Sequence, residues 1–314
     1  MITDYLYESI EKEKKIIESI GAELNDYQCK TEEDVIEKAK DADAIIVQFA
    51  PITRKVIESL ENCKVIVRYA VGVDNIDLHA ATEKGIYVCN VPDYAIDEVS
   101  DHTLLLILAI ERKLQTFMRN VQKGDWTYTY VKPLNRLKGQ VLGLMGFGRI
   151  PRMVAEKAKP FGFEIITYDP FVSEEILNEY HVKRVDFDTL LKESDVLSIH
   201  TPLNDKTKHL VNTEAFKKMT KKPFIVNTSR GGIIDEKALI KALGDKLIRG
   251  AALDVIEKEP IDITNELLKM DNVIITPHSA WYTEESIKTL QKYTAEEVKR
   301  VLSGNTPKNA VNKL

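Results

Sequence analysis

The chain has 314 residues, of which 44% are hydrophobic and 30% charged, and its formal net charge is −5. This is the composition of a soluble globular protein, long enough to bury a large core and to form two domains. Lysines and acids are interleaved along the whole chain, and without a basic face neither nucleic acid nor an anionic membrane is expected as a partner.

The longest continuous apolar run, Leu104–Ile110, falls far short of the about 20 residues that span a bilayer. The amino terminus lacks a basic start followed by an apolar stretch, so no signal peptide is expected. Cys29, Cys63 and Cys89 are odd in number and far apart, which fits buried thiols in a reducing cytoplasm and no metal site.

In chain order, helical and extended patterns alternate. A helix over Ile10–Ile20 ends near Gly21, and Asp43–Gln48 reads as a buried strand. Arg54–Leu60 is helical, Lys64–Arg68 is a strand, and Tyr69–Asp74 is the loop at its carboxyl end. Leu78–Lys84 is helical and Ile86–Cys89 is a further strand. From Asp97 to about Lys123 runs one long helical pattern, apolar almost all round near Leu104–Ile110 and expected to be deeply buried. It suits a domain connector, a subunit contact or a plain core helix. After the strand at Gln140–Met145 the alternation resumes, with strands at Glu164–Tyr168, Val182–Val185, Asp195–His200, Phe224–Thr228, Gly250–Val255 and Val273–Thr276. An amphipathic helix over Glu284–Leu302 closes the pattern. The expected fold class is α/β, with parallel sheets covered on both faces.

Chemistry concentrates at the strand ends. The strand at 140–145 runs into Gly146-Phe147-Gly148, a helical pattern starts at Pro151, and a second strand closes on Asp169, 23 residues beyond Gly146. Strand, glycine turn, helix, strand and acid form the layout of a dinucleotide-binding unit. Its turn approaches a pyrophosphate, and the helix start offers free N–H groups to it. Pro151 stands where the pattern has a third glycine. It fits the first turn of a helix but adds ring volume, so a slightly displaced helix and weaker cofactor affinity are expected. An ordinary strand-to-helix turn is the alternative. His200-Thr201-Pro202, Ser229–Gly232, Asp254 and His278 also lie at or just past strand ends, where open α/β sheets bind ligands.

Hydride transfer between a nicotinamide and a carbonyl carbon needs a polarised carbonyl, a proton donor or acceptor, and a grip on any substrate carboxylate. Arg230 suits the first and third tasks with its forked guanidinium, or is a surface arginine in a strand–helix loop. The two glycines after it would let the backbone pass close to a ligand. His278 suits the proton transfer, or is a satisfied structural histidine. Glu259 is its natural partner, since a carboxylate beside an imidazolium favours the charged form. The alternatives are a plain loop for Glu259-Pro260 and a helix cap for Asp254.

The stretches Gly146–Asp169, Asn227–Glu236, Gly250–Pro260 and Thr276–Trp281, in that order, resemble the D-isomer-specific 2-hydroxyacid dehydrogenase family, and Val67–Asp77 resembles its substrate loop. The resemblance implies two doubly wound parallel-sheet domains. One is a Rossmann dinucleotide-binding domain over residues 97–282. The other is a flavodoxin-like substrate domain, discontinuous over 1–96 and 283–314. It implies that Arg230 binds the substrate carboxylate and carbonyl, that His278 is the acid/base and that Glu259 is its partner. Val71, Gly72 and Val73 would help hold the carboxylate, and Trp281 would wall the substrate side chain or pack in the core. Gly146, Gly148, Arg149 and Ile150 would hold the pyrophosphate of NAD and Asp169 its adenosine ribose. Asp254 would bind the nicotinamide carboxamide, and Thr201, Thr228, Ser229 and Ala280 would line the rest of the cofactor cleft. The implied substrate is a small 2-keto or 2-hydroxy acid, and the implied assembly is a homodimer built largely on the 97–123 helix. Asn90–Tyr94 with Asp97-Glu98, His278–Tyr282 and Asn309–Lys313 are most similar to the C-terminal-binding-protein-like branch, whose relatives include dehydrogenases and an NADH-sensing corepressor. A D-3-phosphoglycerate dehydrogenase is a competing reading. There Arg68 matches one expected arginine, Gln48 replaces another, and no C-terminal regulatory domain is expected.

Overall fold

The structure is a computed structural model that describes all 314 residues. It divides into two compact units, one of Met1–Ala95 with Tyr282–Leu314, the other of Ile96–Trp281.

In the first unit, β1 (Ala44–Val47), β2 (Val65–Arg68) and β3 (Tyr87–Cys89) pair in parallel in that order. Ile2 bridges in parallel to both Ile46 and Asp26, and Thr3 donates its N–H to the Ile46 carbonyl at 2.9 Å. The extended segments near Asp26 and Ile2 thus continue the sheet beyond β1. The first two chain segments are swapped in space, which is the flavodoxin-like order. The sequence reading assigned neither segment, nor the helix Glu32–Ala39, which starts on a capping box between Thr31 and Asp34. Val35, Ile45, Val47, Ile57, Ile66 and Val88 pack together in the core of this unit. The helix Glu284–Leu302 buries Leu290, Ala295, Val298 and Val301 and opens on a capping box between Thr283 and Ser286.

The second unit holds seven parallel strands: β4 (Val141–Met145), β5 (Glu164–Tyr168), β6 (Lys183–Arg184), β7 (Val196–Ile199), β8 (Phe224–Asn227), β9 (Gly250–Leu253) and β10 (Val273–Ile275). Their spatial order is β10-β9-β8-β7-β4-β5-β6. Side chains alternate between two cores. Leu142, Leu144, Val196, Val226 and Ala252 face one, while Met145, Leu197, Ile199, Ile225 and Leu253 face the other. The chain moves outward from β4 to β6 and then returns to the other side of β4 as β7. This reversal is the switch point at which ligands bind in such sheets.

Two helices depart from the sequence reading. The 97–123 pattern is a pair, Ile96–Glu111 and Leu114–Gln122, broken where Lys113 adopts φ 50°. It is not buried all round either: Leu106, Ile107 and Ile110 face the core, but Leu105 is 54% exposed. The helix after the glycine turn spans Arg149–Ala158 and begins two residues before Pro151. Pro151 is therefore the third helical residue, still among the first four whose N–H groups have no intrahelical partner.

Candidate active site

The strands of the second unit end in one register. Tyr168, Met145, Ile199, Asn227, Leu253 and Ile275 are successive partners across β5, β4, β7, β8, β9 and β10. The next residue on each strand is Asp169, Gly146, His200, Thr228, Asp254 and Thr276. One row of polar groups and a glycine therefore lines the carboxyl edge of the sheet.

On one side of this row is the glycine turn. Gly146 has φ 97°, and a Cβ there would meet the His200 carbonyl at 3.1 Å and the Thr201 nitrogen at 3.2 Å. A bare backbone at this position is what allows β4 and the loop after β7 to close together. Gly148 is the N-cap of the helix and has no side chain to offer the amides of its first turn. Asp169 braces the turn: its carboxylate accepts the Phe147 N–H at 2.7 Å and the Phe171 N–H at 2.8 Å. Thr201 Oγ1 is buried without a hydrogen-bond partner, and a buried hydroxyl with no partner calls for one. Burial holds the His200 imidazole far below its ordinary range, at about 3, with Nε2 at 2.8 Å from Ser198 Oγ. A glycine cradle, an uncapped helix start, an acid 23 residues on and an orphaned hydroxyl together fit a dinucleotide.

On the other side lie Arg230, Glu259 and His278. Asn227 shapes the Arg230 loop, accepting the Ser229 N–H at 3.0 Å and donating its amide to the Arg230 carbonyl at 2.9 Å. Gly231 then packs on the chain after β9. A Cβ there would fall 1.9 Å from the Ile256 carbonyl, so this glycine serves a backbone–backbone contact, where the sequence reading had it approaching a ligand. The Arg230 guanidinium donates to the Ser229 carbonyl at 2.8 Å.

His278 Nδ1 lies 2.6 Å from Glu259 Oε2, and Glu259 Oε1 accepts the Ile256 N–H at 3.2 Å. Burial works to lift the Glu259 carboxyl, but the hydrogen bond and charge of His278, the Ile256 N–H and the charge of Arg230 outweigh it. The carboxyl is held below the usual range. With Nδ1 committed to Glu259, Nε2 is the ring nitrogen that Glu259 leaves unengaged.

His278 adopts φ 53°, a left-handed conformation that costs a residue with a Cβ roughly 1–2 kcal/mol. Hydrogen bonds to its N–H and carbonyl offset this. The His278 N–H reaches the Asp254 carbonyl at 2.8 Å, and Trp281 Nε1 donates to the His278 carbonyl at 2.9 Å. Asp254, 2% exposed, accepts from Thr276 Oγ1 at 2.6 Å, the Ser279 N–H at 2.9 Å and the Ala280 N–H at 3.0 Å. Its carboxylate thus ties down the turn 276–280, in place of the helix cap that sequence offered as the alternative. Trp281 is half-buried and holds the same turn, so it is not a core residue.

Gly146, Asp169, Thr201, Thr228, Ser229, Arg230, Asp254, Glu259, His278 and Ala280 therefore share one edge of the second unit. Arg149 and Ile150 form the first turn of the helix at that edge. Val71, Gly72 and Val73 belong to the first unit, in the loop after β2. There Arg68 donates to the Gly72 carbonyl at 2.8 Å and Asn90 to the Val71 carbonyl at 2.6 Å. A cavity of about 500 Å³ in the first unit borders the amino end of β1 near Asp43 and Ala44 and contains no histidine or arginine, so it offers none of this chemistry. Sequence reasoning passed over His102 and Thr103 on the helix Ile96–Glu111. His102 Nε2 is 3.0 Å from Thr276 Oγ1, and Thr103 Oγ1 is 2.8 Å from Thr228 Oγ1. No helix is long and apolar enough to cross a membrane.

Residues 104–280 match the model described as D-isomer specific 2-hydroxyacid dehydrogenase, NAD binding domain. Over 314 aligned positions the chain is 43% identical to a D-3-phosphoglycerate dehydrogenase of Methanocaldococcus jannaschii, covering 99% of this chain and 59% of that protein. It is thus similar to a relative of which it spans only about three fifths. It is 38% identical to a glyoxylate reductase of Korarchaeum cryptofilum, covering 88% of this chain and 85% of the relative. Among solved structures, a D-lactate dehydrogenase from Aquifex aeolicus, complexed with NAD and lactic acid, superposes with a TM-score of 0.90 at 30% identity, covering 100% of this chain and 99% of that one.

Proposed function

Since the chain belongs to the D-isomer-specific 2-hydroxyacid dehydrogenase family, we propose that it is an NAD-dependent oxidoreductase that interconverts a 2-keto acid and a D-2-hydroxy acid. The observation that carries the reading is the 2.6 Å pairing of His278 Nδ1 with Glu259, a carboxylate that also feels the charge of Arg230. Bound NAD supplies the hydride acceptor, and NADH the hydride donor. Gly146, Gly148, Arg149 and Ile150 hold its pyrophosphate and Asp169 its adenosine ribose, while Thr201, Thr228, Ser229, Asp254 and Ala280 line the remainder. Arg230 grips the substrate carboxylate and polarises the carbonyl oxygen. His278 Nε2 gives its proton to that oxygen in reduction and takes it back in oxidation, while Glu259 stabilises the imidazolium. Trp281 borders the substrate side chain. On this reading residues 1–96 and 283–314 serve as the substrate domain and 97–282 as the cofactor domain.

Purified protein is expected to oxidise NADH with at least one member of a panel of 2-keto acids graded by size and charge. His278→Gln should remove most of that rate and leave NADH binding intact. Tight NADH binding with no turnover on any panel member would sink the reading. The second reading is D-3-phosphoglycerate dehydrogenase, favoured by the 43% identical relative, and 3-phosphoglycerate with NAD belongs in the panel for that reason. We also propose a cytoplasmic homodimer. Leu105, Leu114, Met118, Val121 and Trp126 on or just after the paired helices are each at least 47% exposed, an apolar face suited to a second copy. Met118→Glu should shift the mass measured by light scattering toward the monomer.

A further inference from the structure

Three carboxylates in the segment after β9 are each matched to a histidine from another part of the unit. Glu259 pairs with His278 at 2.6 Å, Glu257 with His209 at 2.7 Å, and Asp254 lies 3.6 Å from His102 Nε2. The last of these stands behind the turn that carries His278. The hydroxyl of Thr276 lies between them, and its bonds have a forced direction. Thr276 Oγ1 is 2.6 Å from Asp254 Oδ1, and an ionised carboxylate only accepts, so the hydroxyl proton points at Asp254. The same hydroxyl then has only lone pairs to offer His102 Nε2 at 3.0 Å. The His102 proton must sit on Nε2, and the chain runs one way: Nε2–H to Oγ1–H to carboxylate. That carboxylate also holds the Ser279 and Ala280 N–H groups, and the Asp254 carbonyl holds the His278 N–H.

We propose that His102 is a positioning residue for His278, acting through Thr276 and Asp254. The proposal rests on the dehydrogenase reading for its kinetic consequences but not for its geometry. His102 never touches substrate. It fixes the direction of the Thr276 hydroxyl, keeps Asp254 committed to the 276–280 turn, and so holds the left-handed backbone that aims His278.

The test compares His102→Leu, His102→Gln and Thr276→Val with the unaltered protein, using the best 2-keto acid of the panel. Glutamine places an N–H near the position of Nε2, whereas leucine removes it. His102→Leu is expected to lower kcat about tenfold, the scale of one lost hydrogen bond, with the KM for NADH changed less than about threefold. His102→Gln should recover most of the loss. The double variant His102→Leu/Thr276→Val should be no worse than Thr276→Val alone, because both act through one chain. Additive losses, an unchanged kcat in His102→Leu, or no rescue by glutamine would overturn the proposal. An independent readout needs neither cofactor nor turnover. In protein labelled with ¹⁵N-histidine, His102, assigned by its disappearance in His102→Gln, should carry a proton on Nε2, and an unprotonated Nε2 overturns the proposal. If no panel acid is reduced, the dehydrogenase reading fails, and this spectrum still decides the fate of the His102 chain.

Discussion

Gly231 and Ile256 meet backbone to backbone. No side chain fits between them, since a Cβ on Gly231 would lie 1.9 Å from both the carbonyl carbon and the carbonyl oxygen of Ile256. The contact joins the loop after β8 to the chain after β9, and so Arg230 to the segment that ends in Glu259. Gly231→Ala must push these segments apart, because neither neighbouring atom belongs to a flexible side chain. A displacement near 1 Å in a reacting constellation costs roughly 100-fold in rate. We expect a loss of that order in kcat/KM, together with a destabilisation of about 2 kcal/mol from overpacking. Steady-state kinetics and a thermal melt check both. Wild-type kcat/KM in a folded Gly231→Ala would show that the contact does not set the position of Arg230.

Glu259 is held below the usual carboxylate range against the opposing effect of its burial, chiefly by the hydrogen bond from His278. A carboxyl depressed in the folded state adds stability that is present above its unfolded value and lost as pH falls through its folded value. Denaturation midpoints below about pH 4.5, the ordinary value of this group, should therefore fall more steeply for the natural protein than for Glu259→Gln. Equal slopes for the two proteins in this window would show that the pair adds no acid-labile stability.

Much of this site was legible in the sequence because parallel strands buried on both faces read as short apolar runs, and the residue that ends each run is polar or glycine. Gly146, Asp169, Thr228, Asp254 and Thr276 could be placed at strand ends in this way. What sequence could not supply is register across the sheet. That register puts these residues in one row and makes Thr276 a neighbour of Asp254. His102 was invisible for the same reason. It sits in Asp-His-Thr at the start of an apolar helix and becomes informative only once the helix packs behind β10. The break at Lys113 has no glycine or proline to announce it, so the 97–123 pattern read as one helix. The extended segments at Ile2 and Asp26 make only bridges, too short for any two-residue alternation to show.

His200 gives a pH dependence of opposite chemical origin to that of Glu259. Burial lowers its imidazole from 6.5 to about 3. Between those values the unfolded chain takes up a proton that the folded protein refuses, so stability falls as pH falls through that window. His200→Gln lacks the titrating ring and should lose less stability between pH 6.5 and 4 than the natural protein, measured by urea unfolding at stepped pH. A steeper loss in the variant would mean that the ring is protonated in the folded state.

Pro151 is the third residue of the helix that starts at the glycine turn, and it is buried there. Its missing N–H costs no helical hydrogen bond. What remains of the expected penalty is ring volume between helix and strand. Pro151→Gly should tighten the NADH dissociation constant if that volume holds the helix away from the cofactor, while costing roughly 1 kcal/mol of stability through the freedom it gives the unfolded chain. An unchanged dissociation constant by calorimetry would end the affinity part of this expectation.

Asp169 has two tasks that a single substitution can separate. Its Oδ2 accepts the Phe147 N–H at 2.7 Å, which shapes the glycine turn, and its charge would stand beside the adenosine ribose. A 2′-phosphate at that ribose would meet a like charge, so NADH should be preferred over NADPH by at least about tenfold in kcat/KM. Asp169→Asn keeps an acceptor for the Phe147 N–H while removing the charge. It should narrow the gap mainly by improving the NADPH value. Asp169→Ala removes both, and should raise the KM for NADH as well, because the turn loses its brace. Equal use of the two cofactors by the natural protein would place the ribose elsewhere than at Asp169. A larger NADH defect in Asp169→Asn than in Asp169→Ala would mean that the Phe147 contact is not what holds the turn.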